Sequence, residues 1–198
     1  MQAIVEANLP LRIAAVISSH TAAEGLEYAC AKGIATAVVD HRSPVTREAF
    51  DRDLMRCIES YAPDLVVLAG FMRILSDGFV QHYAGRLINI HPSLLPAFPG
   101  LATHRRALEA GVKIHGCTVH FVTPAVDQGP IVAQAAVCVK SDDSVQTLAA
   151  RVLQQEHLIY PQALRWFAED RLNIAQGIVN VRGVDTLNLS LRTPWETT

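Results

Sequence analysis

The sequence predicts an α/β domain: a mostly parallel sheet with helices on both faces. Three observations carry that expectation. Apolar strand-type runs alternate with helical periodicity between residues 11 and 90, the pattern of βαβ units. The run at 64–69, Asp-Leu-Val-Val-Leu-Ala, stays apolar after its first residue, as a strand covered on both faces does. Two such runs end abruptly, one at Gly70 and one at Asn89 and His91, and the carboxyl ends of strands are where these sheets hold ligands.

Residues 1–8 have helical character, with Ile4, Val5 and Ala7 apolar and Pro10 ending the segment. Residues 11–17 read as a buried strand. A helix at 21–32 is closed by Gly33, and 34–39 is a second strand. The amphipathic helix at 45–61 takes Ser43 as its cap and Pro44 at its first position. After the third strand, at 64–69, a short helix at 77–83 leads to the strand 86–90. Pro92, Pro96 and Pro99 make the next stretch extended and stiff. A helix at 103–110 follows. Two longer strands, 113–123 and 130–139, flank the loop Pro124-Ala125-Val126-Asp127-Gln128-Gly129. A long helix covers 144–168, and the tail from 171 has weak strands or is irregular. There is no internal repeat and no low-complexity tract.

A chain of 198 residues suggests one domain with a sizeable core. A net charge of −2 argues against a nucleic-acid or polyanion binder. No apolar run reaches the length of a membrane span, and no basic-then-apolar leader opens the sequence. Cys30, Cys57, Cys117 and Cys138 are widely spread, with no CxxC, and read as reduced, mostly buried thiols of a cytoplasmic protein. Neither GxSxG nor HExxH occurs. His115 and His120, five apart on one strand, face opposite sides and cannot share a metal; no metal is expected. His104-Arg105-Arg106 reads as a solvated helix face.

The chemistry is concentrated in Leu87-Ile88-Asn89-Ile90-His91-Pro92-Ser93-Leu94-Leu95-Pro96. Asn89 and His91 are two apart, so a strand puts both on one face. An amide donor beside an imidazole suits a developing oxyanion, although Asn89 alone could cap a turn and a lone histidine is more often structural. Asp127 is either a turn former or a carboxylate that keeps a nearby imidazole protonated. Phe71-Met72-Arg73-Ile74-Leu75 is either core or the wall of an apolar pocket for a flat heterocycle. Glu156 lies on the stripe Ala149, Val152, Leu153, Glu156 and needs a partner there, such as an arginine.

Three motifs in order carry a family resemblance: Ala69-Gly70-Phe71-Met72-Arg73-Ile74-Leu75-Ser76, the segment at 87–96, and His115-Gly116-Cys117-Thr118-Val119-His120-Phe121-Val122. Together they resemble the folate-dependent formyltransferases over about residues 1–172. The resemblance implies a Rossmann-like formyltransferase fold, one domain over 1–198 with a weakly structured tail at 171–198. It implies transfer of a formyl group from 10-formyltetrahydrofolate to the amine of glycinamide ribonucleotide in purine synthesis, in a monomer or homodimer with no nucleic-acid or membrane partner. Asn89, His91 and Asp127 would be catalytic. Arg47, Met72, Arg73, Ile74, Leu75 and Asn89 would bind the folate. Gly70 and Glu156 would bind the nucleotide, the carboxylate on its ribose hydroxyls. Gln128 stands where the family often has glycine. In the family a strand and a Gly-Ser-Asn phosphate loop precede a Leu-Gln-Ala-Ile helix start, which Met1-Gln2-Ala3-Ile4 matches; the expectation is that this strand and loop are missing and that the true start lies upstream. Formyltetrahydrofolate hydrolysis and an inactive folate-binding paralogue are the alternatives.

Overall fold

The computed structural model describes residues 1–40 and 46–184. In chain order the elements are α1 (Gln2–Glu6), β1 (Val16–Ser18), α2 (Glu24–Ala31), β2 (Thr36–Val38), α3 (Arg47–Glu59), β3 (Val66–Leu68) and α4 (Asp77–His82). Then come β4 (Leu87–His91), α5 (Thr103–Glu109), β5 (Ile114–Phe121), β6 (Ile131–Cys138), α6 (Val145–Ala168) and the hairpin strands β7 (Leu172–Ala175) and β8 (Ile178–Val181).

Strands β3, β4, β5 and β6 form one sheet in that order, with β3–β4 parallel and the next two pairs antiparallel. β1 and β2 form a separate parallel pair. The alternation over 11–90 therefore does produce parallel pairing, and β5 and β6 extend it antiparallel. Among the described residues, β1 hydrogen-bonds only to β2, and β3 only to β4.

The pleat of β4 decides what faces what. Leu87 packs with Phe50, Leu54, Ile58, Phe79 and Tyr83 from α3 and α4 and the chain just after it. Ile88 and Ile90 turn the other way, toward Tyr160, Ala163 and Leu164 of α6. Asn89 and His91, at the same parity as Leu87, emerge where the α3–α4 cover ends. A third cluster, Cys117, Val137, Leu148 and Val152, seats the first half of α6 on β5 and β6. α6 starts at a reciprocal cap, the Ser144 hydroxyl accepting from the Thr147 amide while Thr147 accepts from the Ser144 amide.

Several expectations need correction. The first strand is shorter than 11–17 and begins at Val16, because regular pairing exists only where β2 lies beside it. α3 is capped by Thr46, whose hydroxyl accepts from the Ala49 amide, with Arg47 first in the helix; Ser43 and Pro44 lie outside the described residues. Only Cys117 is buried, while Cys30 and Cys138 are exposed. The inward stripe of α6 runs through Leu148, Val152, Glu156 and Tyr160, and Leu153 is exposed, since four-residue steps track the packed face. Within the tail, 172–181 forms an antiparallel hairpin; residues 185–198 lie outside the described residues. No helix among the described residues is long and apolar enough to cross a membrane.

Candidate active site

Two cross-strand rows build the site. Asn89 on β4 lies opposite His120 on β5, and His91 lies opposite Thr118, which in turn lies opposite Gln134 on β6. A strand places alternate residues on one face, so all five share a side.

The first row orients an amide. His120 is buried, with Nδ1 2.9 Å from the Phe121 carbonyl, to which it donates. That leaves Nε2 as the acceptor, 3.3 Å from Asn89 Nδ2. Burial lowers the His120 pKa, which favours this neutral ring. The Asn89 carboxamide is thereby held with its nitrogen inward.

His91 is 6% exposed. Its Nε2 lies 3.0 Å from the Phe98 carbonyl and its Nδ1 3.4 Å from Asp127 Oδ2. Both ring nitrogens face acceptor oxygens, and only the doubly protonated ring donates to both. Asp127 Oδ1 lies 3.8 Å from His120 Nε2, which closes the ring of contacts Asn89–His120–Asp127–His91. Asp127 sits at φ +54, in the left-handed turn region that aspartate tolerates. The next glycine is required by space: a Cβ at Gly129 would overlap the Phe121 carbonyl oxygen.

The second row ties down the proline loop. Thr118 Oγ1 donates to the Ser93 carbonyl at 2.7 Å and accepts from the Leu95 amide at 3.0 Å. Gln134 Nε2 reaches both Thr118 Oγ1 and the Leu95 carbonyl at 2.9 Å. The Gly100 amide donates to Asp127 Oδ2 at 2.8 Å. From the far side, His104 Nδ1 and His115 Nε2 lie 3.2 Å apart. Burial, then the neighbouring His104, pushes His115 down to about 4, with a hydrogen bond to the Pro92 carbonyl opposing. His104 is also lowered, first by burial. Of the segment 104–106 only Arg105 is exposed as a solvated face requires: His104 turns inward, and the Arg106 guanidinium bonds the Pro99 carbonyl and stands 5.6 Å over the Phe98 ring.

The remaining expected site residues fall in two groups. Gly70 turns the chain after β3 at φ +68, where glycine is unstrained. Beyond it Met72 and Ile74 are exposed while Leu75 is buried, and Arg73 stacks 4.4 Å over the Phe50 ring. Glu156 faces inward from α6. Burial raises its carboxyl pKa, and the Met1 amino group is the charge that opposes this; among the described residues it has no arginine partner of the kind the sequence allowed. The Cys117 thiol is pushed up to about 12 by its own burial first and the Glu156 charge second. Arg47 is half exposed, with its Nε 3.6 Å from Glu48 on the first turn of α3.

Reasoning from sequence passed over Thr118, Gln134, His120 as the partner of Asn89, and Tyr160. The Tyr160 hydroxyl meets the carbonyl of Leu68 at 2.7 Å and that of Ile88 at 3.0 Å, joining β3 to β4 just below the site. Polar residues at two-residue steps on β5, Thr118 and His120, were the available signal.

Residues 1–164 match the family model described as formyl transferase, and the chain belongs to that family. Relatives narrow the likeness. The chain is 53% identical over 178 residues to the phosphoribosylglycinamide formyltransferase of Escherichia coli, covering 88% of this chain and 84% of that one. It is 46% identical to the human trifunctional purine biosynthetic protein adenosine-3, over 86% of this chain but 17% of that one. The solved phosphoribosylglycinamide formyltransferase of Coxiella burnetii superposes with a TM-score of 0.87 at 46% identity, over 92% of this chain and 87% of that one. A formyltetrahydrofolate deformylase from Pseudomonas syringae superposes at 0.81 with 32% identity, over 89% of this chain and 58% of that one.

Proposed function

We propose that this chain is a phosphoribosylglycinamide formyltransferase, moving a formyl group from 10-formyltetrahydrofolate to the amine of glycinamide ribonucleotide in purine synthesis. It works as a single domain in the cytoplasm, as a monomer or homodimer. The observation that carries the reading is the convergence of Asn89, His91 and Asp127 at the end of β4.

The neutral amine attacks the formyl carbon, and the carbonyl oxygen becomes an oxyanion. The free N–H of the Asn89 carboxamide donates to that oxygen, and the positive charge of the His91 imidazolium, whose own N–H groups are taken by Asp127 and the Phe98 carbonyl, stabilises it. Asp127 keeps His91 charged and, through a water, passes the proton lost by the attacking nitrogen to the folate nitrogen as the carbon–nitrogen bond to the folate breaks. The electrophile is already an activated formamide, so positioning two substrates in one cleft supplies much of the remaining acceleration. Met72, Arg73, Ile74 and Leu75 line the folate pocket with Arg47 and Asn89 at its margin. Gly70 and Glu156 hold the nucleotide, and the half-buried Glu156 carboxylate gains hydrogen-bond donors from ribose hydroxyls.

The test is an assay with both substrates. Formylated nucleotide should appear in proportion to folate consumed, and His91→Ala should abolish it while folate still binds. Turnover retained in His91→Ala would remove His91 from the mechanism. The likeness to a deformylase supports one second reading: formate released without the nucleotide would identify a hydrolase.

A further inference from the structure

We infer that Asp51, a residue of α3 outside the reacting centre, is a positioning residue for the folate pocket wall at 72–75. The inference rests on reading that wall as the folate site.

Asp51 is 2% exposed, buried beside Phe50 on the inner face of α3. A carboxylate taken out of water needs strong compensation. Its Oδ2 accepts the backbone N–H of Ser76 at 2.6 Å. Ser76 is the residue at which the exposed loop ends and α4 begins; its own hydroxyl accepts from the Phe79 amide. The carboxylate therefore pins the point where the pocket wall joins the scaffold, and it places negative charge at a helix start.

Its neighbour Phe50 pins the same wall a few residues earlier, through the Arg73 guanidinium over its ring. Leu75, between these two points, is buried in the α3–α4 cluster. Consecutive residues of one helix thus fix Arg73, Leu75 and Ser76, while Met72 and Ile74 remain exposed at 74% and 63% for contact with a ligand. A wall so held is pre-organised. Releasing its end makes a ligand reorder the loop on binding, and that cost falls on affinity. Asn89, His91 and Asp127 are held by other elements, so the chemical step keeps its geometry.

The experiment compares the full chain with Asp51→Ala and Asp51→Asn in steady-state assays that vary 10-formyltetrahydrofolate and glycinamide ribonucleotide separately. Asp51→Ala should raise KM for the folate about ten-fold, the size expected for losing a charged hydrogen bond. Its kcat and its KM for the nucleotide should stay within about two-fold. In Asp51→Asn the amide oxygen still accepts from Ser76, so most of the folate KM should be restored. A merely structural role would lower kcat and affect both substrates together. If Asp51→Ala does not fold, Asp51→Glu decides: its longer side chain displaces the loop end and should raise the folate KM alone. An unchanged folate KM in either variant, or equal changes for both substrates, overturns the inference. Absence of folate-dependent turnover in the unmodified chain would instead defeat the underlying reading.

Discussion

The pair of buried His115 and half-buried His104 should make the protein acid-sensitive from about pH 6.5 downward. His115 titrates at about 4 in the folded chain against 6.5 when exposed, chiefly because burial disfavours its charged form. Above pH 6.5 the ring is neutral in both states, and the pair is intact. As pH falls, the unfolded chain binds a proton near 6.5 while the folded chain resists until about 4. Stability is therefore lost through the window from 6.5 down to 4 and is not regained below it. Linkage with those values gives a loss of about 2 kcal/mol between pH 8 and pH 5, rising to about 3 at lower pH. His104, also lowered, adds in the same direction. Urea titrations at pH 8 and pH 5 on the unmodified chain and on His115→Gln measure it. The substitution keeps a hydrogen-bonding side chain and removes the titration. The unmodified chain should lose about 2 kcal/mol more than the variant over that interval. Equal losses would show that His115 is not held neutral by burial, and the account of the pair would fail.

Asn89→Ala should lower kcat by about 10²–10³, the usual consequence of removing one oxyanion donor, with little change in the urea midpoint. Gly129→Ala should cost both activity and several degrees of Tm, because its Cβ would overlap the Phe121 carbonyl and shift the turn that presents Asp127. Thr118→Val keeps the shape but orphans the buried Leu95 amide, costing about 1–3 kcal/mol in urea and lowering activity through the proline loop.

The parts legible in the sequence are those set by local periodicity. The alternation of strand and helix over 11–90 and the two-residue step from Asn89 to His91 both follow from backbone geometry, and the structure has both. What escaped depends on contacts distant in sequence. The cap at Thr46 instead of Ser43 lies beside the undescribed 41–45, and a Ser-Pro pair looks as good a start as Thr-Arg when only the local chain is read. The inward turn of His104 requires His115, eleven residues on and on another element. Likewise nothing near Asp51 marks it as anything but one acidic residue on an amphipathic helix; its partner amide is 25 residues away.

Asp127 shows why chemistry and loop order are joined at this site and yet are separable. Its Oδ2 accepts the Gly100 amide at 2.8 Å and faces His91 Nδ1 at 3.4 Å. A carboxylate oxygen has two lone pairs, so one atom can serve both without competition. His91 in turn donates through Nε2 to the Phe98 carbonyl of the same loop. The loop is thus held to the carboxylate directly and to the imidazole as well, while Thr118 and Gln134 hold its start from the next strands. Removing the outer tethers leaves the carboxylate facing the ring, so turnover should fall only as far as loop disorder requires. Removing the carboxylate takes away a charge and a tether together, and no contact elsewhere in the loop supplies the charge. The outer row therefore fixes where the proline loop rests, and Asp127 joins that loop, through the Gly100 amide, to the His91 ring.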